Sequence, residues 1–293
     1  MNNKNRFMRM VLRIVLLSTI VALIAWIFWA NVAIEINTFT IASKKLPVEF
    51  DGYRIAQVSD LHNAEFGKEN KELIKLLEKA QPDIIVITGD LVDSRNTNIE
   101  IALDFVKQAV EIAPCYYVTG NHEARLSGKE YKNLEDGLLE AGVQVLHGEE
   151  ILLEKEGTVI TLLGVDDPSF GTIDGEILKK KVTAKQIREL FSMENYTILL
   201  SHRPELLQEY CDAGVDLVFS GHAHGGQFRL PFIGGVIAPN QGLFPRYDSG
   251  LYSQGTTNMM VSRGLGNSLC PIRFNNRPEI IVVELQSNSK SNN

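Results

Sequence analysis

The sequence predicts an α/β protein with two β-sheets, preceded by one membrane-spanning helix. Three observations lead there. Short apolar runs rich in β-branched and aromatic residues alternate with amphipathic stretches through the first part of the body. Other strand-like runs follow one another with few helices between them, which suggests a second sheet packed on the first. Residues 14–34 form one uncharged apolar block.

Residues 1–13 carry Lys4, Arg6, Arg9 and Arg13 and no acid, and are expected to form a cytoplasmic tail. From Ile14 to Ile34 the chain reads IVLLSTIVALIAWIFWANVAI. At ~1.5 Å per residue a helix of this length spans ~31 Å, against a hydrocarbon core of ~30 Å. A buried core helix would show a polar stripe at helical period, and only Ser18, Thr19 and Asn31 interrupt this run. A cleaved signal peptide would have an apolar stretch of ~7–15 residues ending in small residues spaced A-x-A; no such triplet closes the run. The flanking cations precede the helix, so the N-terminus is expected in the cytoplasm and the body across the membrane, with Lys44 and Lys45 weakening the bias slightly. Trp26 and Trp29 would then sit toward the outer interface, where aromatic rings are favoured. The expected product is a single-pass protein of the cell membrane.

In the body, residues 35–286, apolar runs occur at Tyr53–Val58, Ile84–Thr88, Tyr116–Thr119, Ile198–Leu200 and Leu217–Phe219. Helical patterns lie at Lys71–Ala80, Ile99–Ile112 and Tyr131–Ala141. The second sheet is expected from Ile151–Glu154, Val159–Gly164, Met259–Ser262 and Ile280–Leu285, and residues 287–293 form a polar tail. Of the 293 residues, 29 are Lys or Arg and 36 are Asp or Glu, a net charge of −7. Setting aside the four N-terminal cations leaves 25 against 36, so the rest stands at −11. Nucleic-acid binding needs clustered cations to displace counterions, so this balance argues against a nuclease. Cys115, Cys211 and Cys270 are too few and too scattered for a disulfide framework or a zinc ribbon, and Cys115 reads as a buried free thiol.

Five of the six histidines follow the ends of apolar runs. Tyr53–Val58 leads to Asp60-Leu61-His62, Ile84–Thr88 to Gly89-Asp90, and Tyr116–Thr119 to Gly120-Asn121-His122-Glu123. Ile198–Leu200 leads to Ser201-His202, and Leu217–Phe219 to Gly221-His222-Ala223-His224-Gly225-Gly226. Ligand sites in α/β sheets lie at the carboxyl ends of strands. Mixed carboxylate, amide and imidazole donors suit Mn²⁺, Fe²⁺ or Zn²⁺, and the lack of cysteine argues against structural zinc. A single Asp-x-His or Gly-Asp is more often a turn; five such groups after five apolar runs point to a metal site. His147 falls outside the scheme and reads as a surface residue with no role.

The ordered set DLH, GD, GNHE, SHRP and GHAHGGQ resembles the calcineurin-like metallophosphoesterase superfamily. The segments FDGYRIAQVSDLH, GGQFRLP, VSRGLG and PIRF are similar to its YkuE/YaeI-like bacterial branch, and the resemblance runs from about Phe39 to Leu285. It implies a four-layer sandwich of two mixed sheets flanked by helices, and a centre of two divalent ions. Asp60, His62 and His224 would hold one ion; Asn121, His202 and His222 would hold the other; Asp90 would bridge them. His122 matches the family's general acid. Two cations ~3.5–4 Å apart neutralise an anionic ester and lower the pKa of a bridging water, which then attacks phosphorus. His122 would protonate the leaving oxygen. Glu123 or Asp93 would orient that imidazole or simply serve the scaffold, and Arg125 would contact phosphate or lie solvated.

The substrate is less legible. Residues 230–244, LPFIGGVIAPNQGLF, place Phe232, Ile233, Val236, Ile237, Leu243 and Phe244 in a loop beside the expected site. Core packing is the simpler reading; a lipid-facing cleft is the other. About a dozen residues are expected between anchor and first strand, which keeps the body within tens of Å of the bilayer at ~3.5 Å per residue. A lipid-linked or envelope phosphate ester is therefore the expected substrate. A pyrophosphatase of the UDP-2,3-diacylglucosamine type is the alternative the resemblance leaves open, although an outward-facing body would not meet cytoplasmic nucleotide sugars. A non-catalytic metal-binding scaffold would have shed ligands or the general acid, and none is missing here.

Overall fold

A computed structural model describes residues 3–170, 172–173, 176–177, 183–190, 194–267 and 270–288. The chain opens with α1 (Asn3–Val32), whose apolar length stays unburied until Ala30. Strand β1 (Glu35–Ser43) begins three residues after the helix ends, so the expected dozen-residue linker does not exist. The chain continues through β2 (Arg54–Val58), α2 (Lys71–Ala80), β3 (Ile84–Thr88), α3 (Ile99–Ala109), β4 (Cys115–Val118), α4 (Gly128–Glu140), β5 (Gln144–Val145), β6 (Glu150–Lys155) and β7 (Thr158–Gly164). After the short β8 (Thr172–Ile173) and β9 (Glu176–Ile177) come α5 (Ala184–Leu190), β10 (Thr197–Leu200), α6 (Leu207–Ala213) and β11 (Leu217–Ser220). Four two-residue strands form two hairpins: β12 (Arg229–Leu230) with β13 (Gly234–Gly235), and β14 (Ile237–Ala238) with β15 (Gly242–Leu243). Then β16 (Gly250–Gln254), β17 (Thr257–Val261) and β18 (Glu279–Ser287) complete the fold.

Two six-stranded mixed sheets form the body, ordered β1-β18-β2-β3-β4-β5 and β16-β17-β11-β10-β7-β6. The two-sheet α/β reading is borne out. The partition of strands is not: β10 and β11 belong to the second sheet, and β18 enters the first, antiparallel to β2 and parallel to β1. β18 also runs through Ser287, which the sequence reading assigned to the tail; residues 289–293 lie outside the described residues.

Side chains alternate along a strand. In β3, Ile85 and Ile87 face α2 and α3 with Leu73, Leu77 and Phe105, while Ile84 and Val86 face the second sheet. In β10, Ile198 and Leu200 point into the space between sheets, and Leu199 points outward to Leu207 and Tyr210 of α6. Both faces of these strands are covered, hence their continuously apolar sequences. The layers run helix, sheet, sheet, helix. The carboxyl ends of β2, β3 and β4 in one sheet and β10 and β11 in the other meet at the same edge of the sandwich.

Candidate metal centre

Each expected ligand stands just past one of those strand ends, and all are buried: Asp60, His62, Asp90, Asn121, His202, His222 and His224. Asp60, His62, Asp90, His222 and His224 adopt left-handed backbone, with φ between 46° and 66°. Non-glycine residues hold that conformation at a cost, and such strain concentrates where a site needs its side chains aimed. Glycines let the strands crowd together. A Cβ on Gly89 would stand 2.5 Å from the nitrogen of Gly120 and 2.9 Å from His202 Nδ1.

Two clusters form around Asp90. On one side His62 Nε2 lies 3.1 Å from His224 Nε2 and 3.5 Å from Asp90 Oδ2, and His224 Nε2 is 3.3 Å from Asp60 Oδ1. On the other, His202 Nε2 is 3.3 Å from the same Asp90 Oδ2 and 3.1 Å from His222 Nδ1. One carboxylate oxygen therefore faces both groups. Its partner oxygen accepts the backbone N–H of His122 at 2.7 Å. His202 Nδ1 lies 2.6 Å from the carbonyl oxygen of Thr88, to which it donates, leaving Nε2 aimed inward.

The donors fit divalent cations. Asn121 Oδ1 is buried and accepts no hydrogen bond among the described residues, an orphan that a cation would satisfy. Burial pushes His62 and His224 down to about 3 and His222 well below the usual imidazole range, so these rings are neutral, the form that ligates. Burial works against ionisation of Asp90, but attraction from His202, His62 and His122 outweighs it and holds the carboxyl well below its usual range. His202 shows the converse. Burial opposes its charge, yet attraction from Asp90 outweighs it and pushes it up to about 10.

His122 is buried beside this centre, its ring 4.5 Å from that of His62. The Ser94 backbone N–H donates to Nδ1 at 3.1 Å, which puts the neutral ring's proton on Nε2. Asp93 Oδ1 stands 3.5 Å from the same Nδ1. Glu123 serves the scaffold, accepting the backbone N–H groups of Gly120 at 2.8 Å and Asp90 at 2.9 Å. Burial, reinforced by repulsion from Asp90, raises its carboxyl to about 7. Arg125 is exposed and lines the cleft of about 270 Å³ above the ligands, together with Arg95, His122, Arg203, Pro239 and Asn240.

Arg203 received no role from the sequence, although it directly follows His202 in SHRP. It is 5% exposed, and Asp167 clamps it through both Nε and NH2, the latter at 2.9 Å. Its NH1 lies 2.9 Å from His222 Nε2. His147 is likewise not idle: it sits between Glu135 at 2.6 Å and Asp166 at 2.9 Å, tying α4 to the end of β7. Cys115 is buried, and burial pushes its thiol up to about 12.

The 230–244 loop does not pack into the core. Phe232, Ile233, Ile237, Leu243 and Phe244 are all exposed, and Val236 is half-buried. Its two short hairpins cover so little of one another that only Gly235 and Ala238 are buried.

Comparison with known proteins agrees with this geometry. The sequence model of the family described as calcineurin-like phosphoesterase matches residues 53–226. The uncharacterized metallophosphoesterase YkuE of Bacillus subtilis is 34% identical, aligned over 87% of this chain and 86% of its own. The phosphodiesterase YaeI of Escherichia coli is 28% identical over 80% of this chain and 82% of its own. A Bos taurus protein described as a transmembrane protein with metallophosphoesterase domain is 29% identical, covering 86% of this chain and 57% of that one. The chain belongs to the calcineurin-like phosphoesterase family and is a metal-dependent phosphoric ester hydrolase.

Proposed function

We propose that this protein is a membrane-anchored phosphoesterase with a two-ion centre, acting on a lipid-linked or envelope phosphate ester. The observation that carries the two-ion reading is the position of Asp90 Oδ2, 3.5 Å from His62 Nε2 and 3.3 Å from His202 Nε2. Asp60, His62 and His224 would hold one ion and Asn121, His202 and His222 the other, with Asp90 placed between the two groups. When bound, such a pair neutralises the ester's charge and lowers the pKa of water at the site. The chain's own residues do the rest. Arg203, its N–H groups taken up by Asp167, Ser169, His222 and Glu205, lines the cleft and lends it positive charge rather than a free donor, and Arg95 and Arg125 line the same cleft. As an imidazolium, with its Nδ1–H facing Asp93 Oδ1 at 3.5 Å, His122 gives its Nε2 proton to the departing oxygen and returns to the neutral ring.

Membrane anchoring rests on the uncharged run Ile14–Ile34 within the long apolar helix, on the cations before that run, and on the transmembrane description of the bovine relative. The positive-inside rule sends the catalytic body out of the cytoplasm. The test is release of p-nitrophenol from chromogenic mono- and diesters by the full-length protein in detergent, with and without Mn²⁺, beside elemental analysis. The reading expects Mn²⁺-dependent turnover, about two ions per chain, and loss of both in Asp90→Asn. Turnover of neither ester class by protein loaded with metal, or unchanged turnover in Asp90→Asn, would overturn it.

A further inference from the structure

The hairpin region 228–247 is the largest feature that hydrolysis leaves unexplained. Phe232 is 110% exposed, Leu243 68%, Phe244 62% and Ile233 60%, on a body otherwise closed over its core. Soluble surfaces rarely gather large apolar side chains in this way unless something covers them. From Phe228 to Tyr247 there is no acidic residue, and Arg229 and Arg246 are the only charges, in a body that stands at −11.

The place of this region relative to α1 says what covers it. The Asn31 side chain clasps Arg273 twice, donating to its carbonyl at 3.0 Å and accepting its N–H at 2.8 Å. Phe274 meets Trp26 edge-on at 5.7 Å, and the Arg277 guanidinium lies 4.7 Å over Trp29. Trp26 is six residues before the end of α1, about 9 Å along the helix at ~1.5 Å per residue. The body therefore laps alongside the apolar helix rather than hanging from its end. The hairpins are continuous with that contact: the Arg229 N–H donates to the Phe274 carbonyl at 3.0 Å, and Phe228 bridges Phe274.

We infer that the 228–247 hairpins form a second membrane contact, lying with their apolar tips in the outer face of the bilayer that α1 spans. The inference rests on the anchor reading above. Aromatic and aliphatic tips enter the acyl boundary, and Arg229 and Arg246 stay at the level of the headgroups, as amphipathic side chains do at an interface. Pro239 and Asn240 of the same loop line the metal-site cleft, so docking seats the mouth of that cleft at the lipid surface. Arg273, whose backbone Asn31 holds, also brings NH2 to 3.5 Å from His224 Nδ1, so the contact with α1 adjoins the ligand cluster.

The test is hydroxyl-radical footprinting of the wild-type full chain, one copy per phosphatidylcholine–phosphatidylglycerol nanodisc. Phe232, Leu243 and Phe244 are compared with Leu139 and Leu152, which are 54% and 56% exposed on other faces. Docking expects the three hairpin residues to be modified at least fivefold less than the two controls, after correction for intrinsic reactivity. Hairpins as reactive as the controls while Ile14–Leu23 stay protected would overturn docking and leave the anchor intact. Reactive Ile14–Leu23 would overturn the anchor and docking with it, while p-nitrophenyl ester turnover in the same discs reports on the enzyme reading separately. Protection found only in discs holding two copies would assign the face to a second chain and overturn the membrane contact.

Discussion

Gly120→Ala puts the crowding at the strand ends to a direct test. A Cβ at Gly120 would stand 2.5 Å from the Asp90 backbone nitrogen and 2.8 Å from its Cγ, and nearer still to Oδ1. Carbon atoms rest ~3.5–4 Å apart, so the Asp90 carboxylate or the Gly120 backbone must move by about 1 Å. That shift acts on the oxygen that accepts the His122 N–H and on the carboxylate shared by His62 and His202. A misplacement of ~1 Å costs about 10²-fold in rate, some 2.7 kcal/mol of barrier. Overpacking costs a further ~1–3 kcal/mol of stability. The assays are kcat/KM on a p-nitrophenyl ester at saturating Mn²⁺, metal content, and thermal unfolding. Gly128→Ala is the control, because a Cβ there meets nothing within 4 Å and helix α4 favours alanine. Gly120→Ala with wild-type kcat/KM and wild-type metal content would refute the claim that Asp90 is held in place by close backbone contact.

His122→Ala should keep its metal and lose about 10²–10⁴-fold in turnover, more on esters with poor leaving groups; equal loss on good and poor leaving groups would remove the proton-donor role. Arg203→Ala should lower kcat/KM by about 10–100-fold and weaken metal binding, because its NH1 meets the ligand His222 at 2.9 Å; wild-type kinetics and wild-type metal content would show that His222 is held without it. His147 is raised to about 9, first by its hydrogen bond to Asp166. Its folded value lies above the unfolded ~6.5, so its contribution is complete below about pH 6.5 and disappears as pH rises through about 9. With solvent screening of this partly exposed group the effect is about 1 kcal/mol. The stability gap between wild type and His147→Gln in urea should therefore close between about pH 6.5 and 9.5, and a gap independent of pH would refute the clamp.

Much of this molecule is local, and local features are legible in a sequence. The seven ligand candidates stand out because each follows an apolar run by two to five residues, and a buried strand must end where polar chemistry begins. Helix α2 was bounded correctly at Lys71–Ala80 because its apolar residues keep one face. The long apolar helix α1 was visible because the chain runs uncharged from Ile14 to Ile34. Tertiary structure decided what depends on neighbours distant in the chain. Strand β18 reads like any other apolar run, and only its pairing with β1 and β2 assigns it to the first sheet. Arg203 is held by Asp167 and the His122 ring by the N–H of Ser94, partners 36 and 28 residues away. For residues 230–244 the sequence left core packing and a lipid-facing cleft both open, because the residues are simply apolar. Apolarity records a preference for leaving water, but whether protein or lipid receives the side chain depends on which surfaces the folded chain brings beside it.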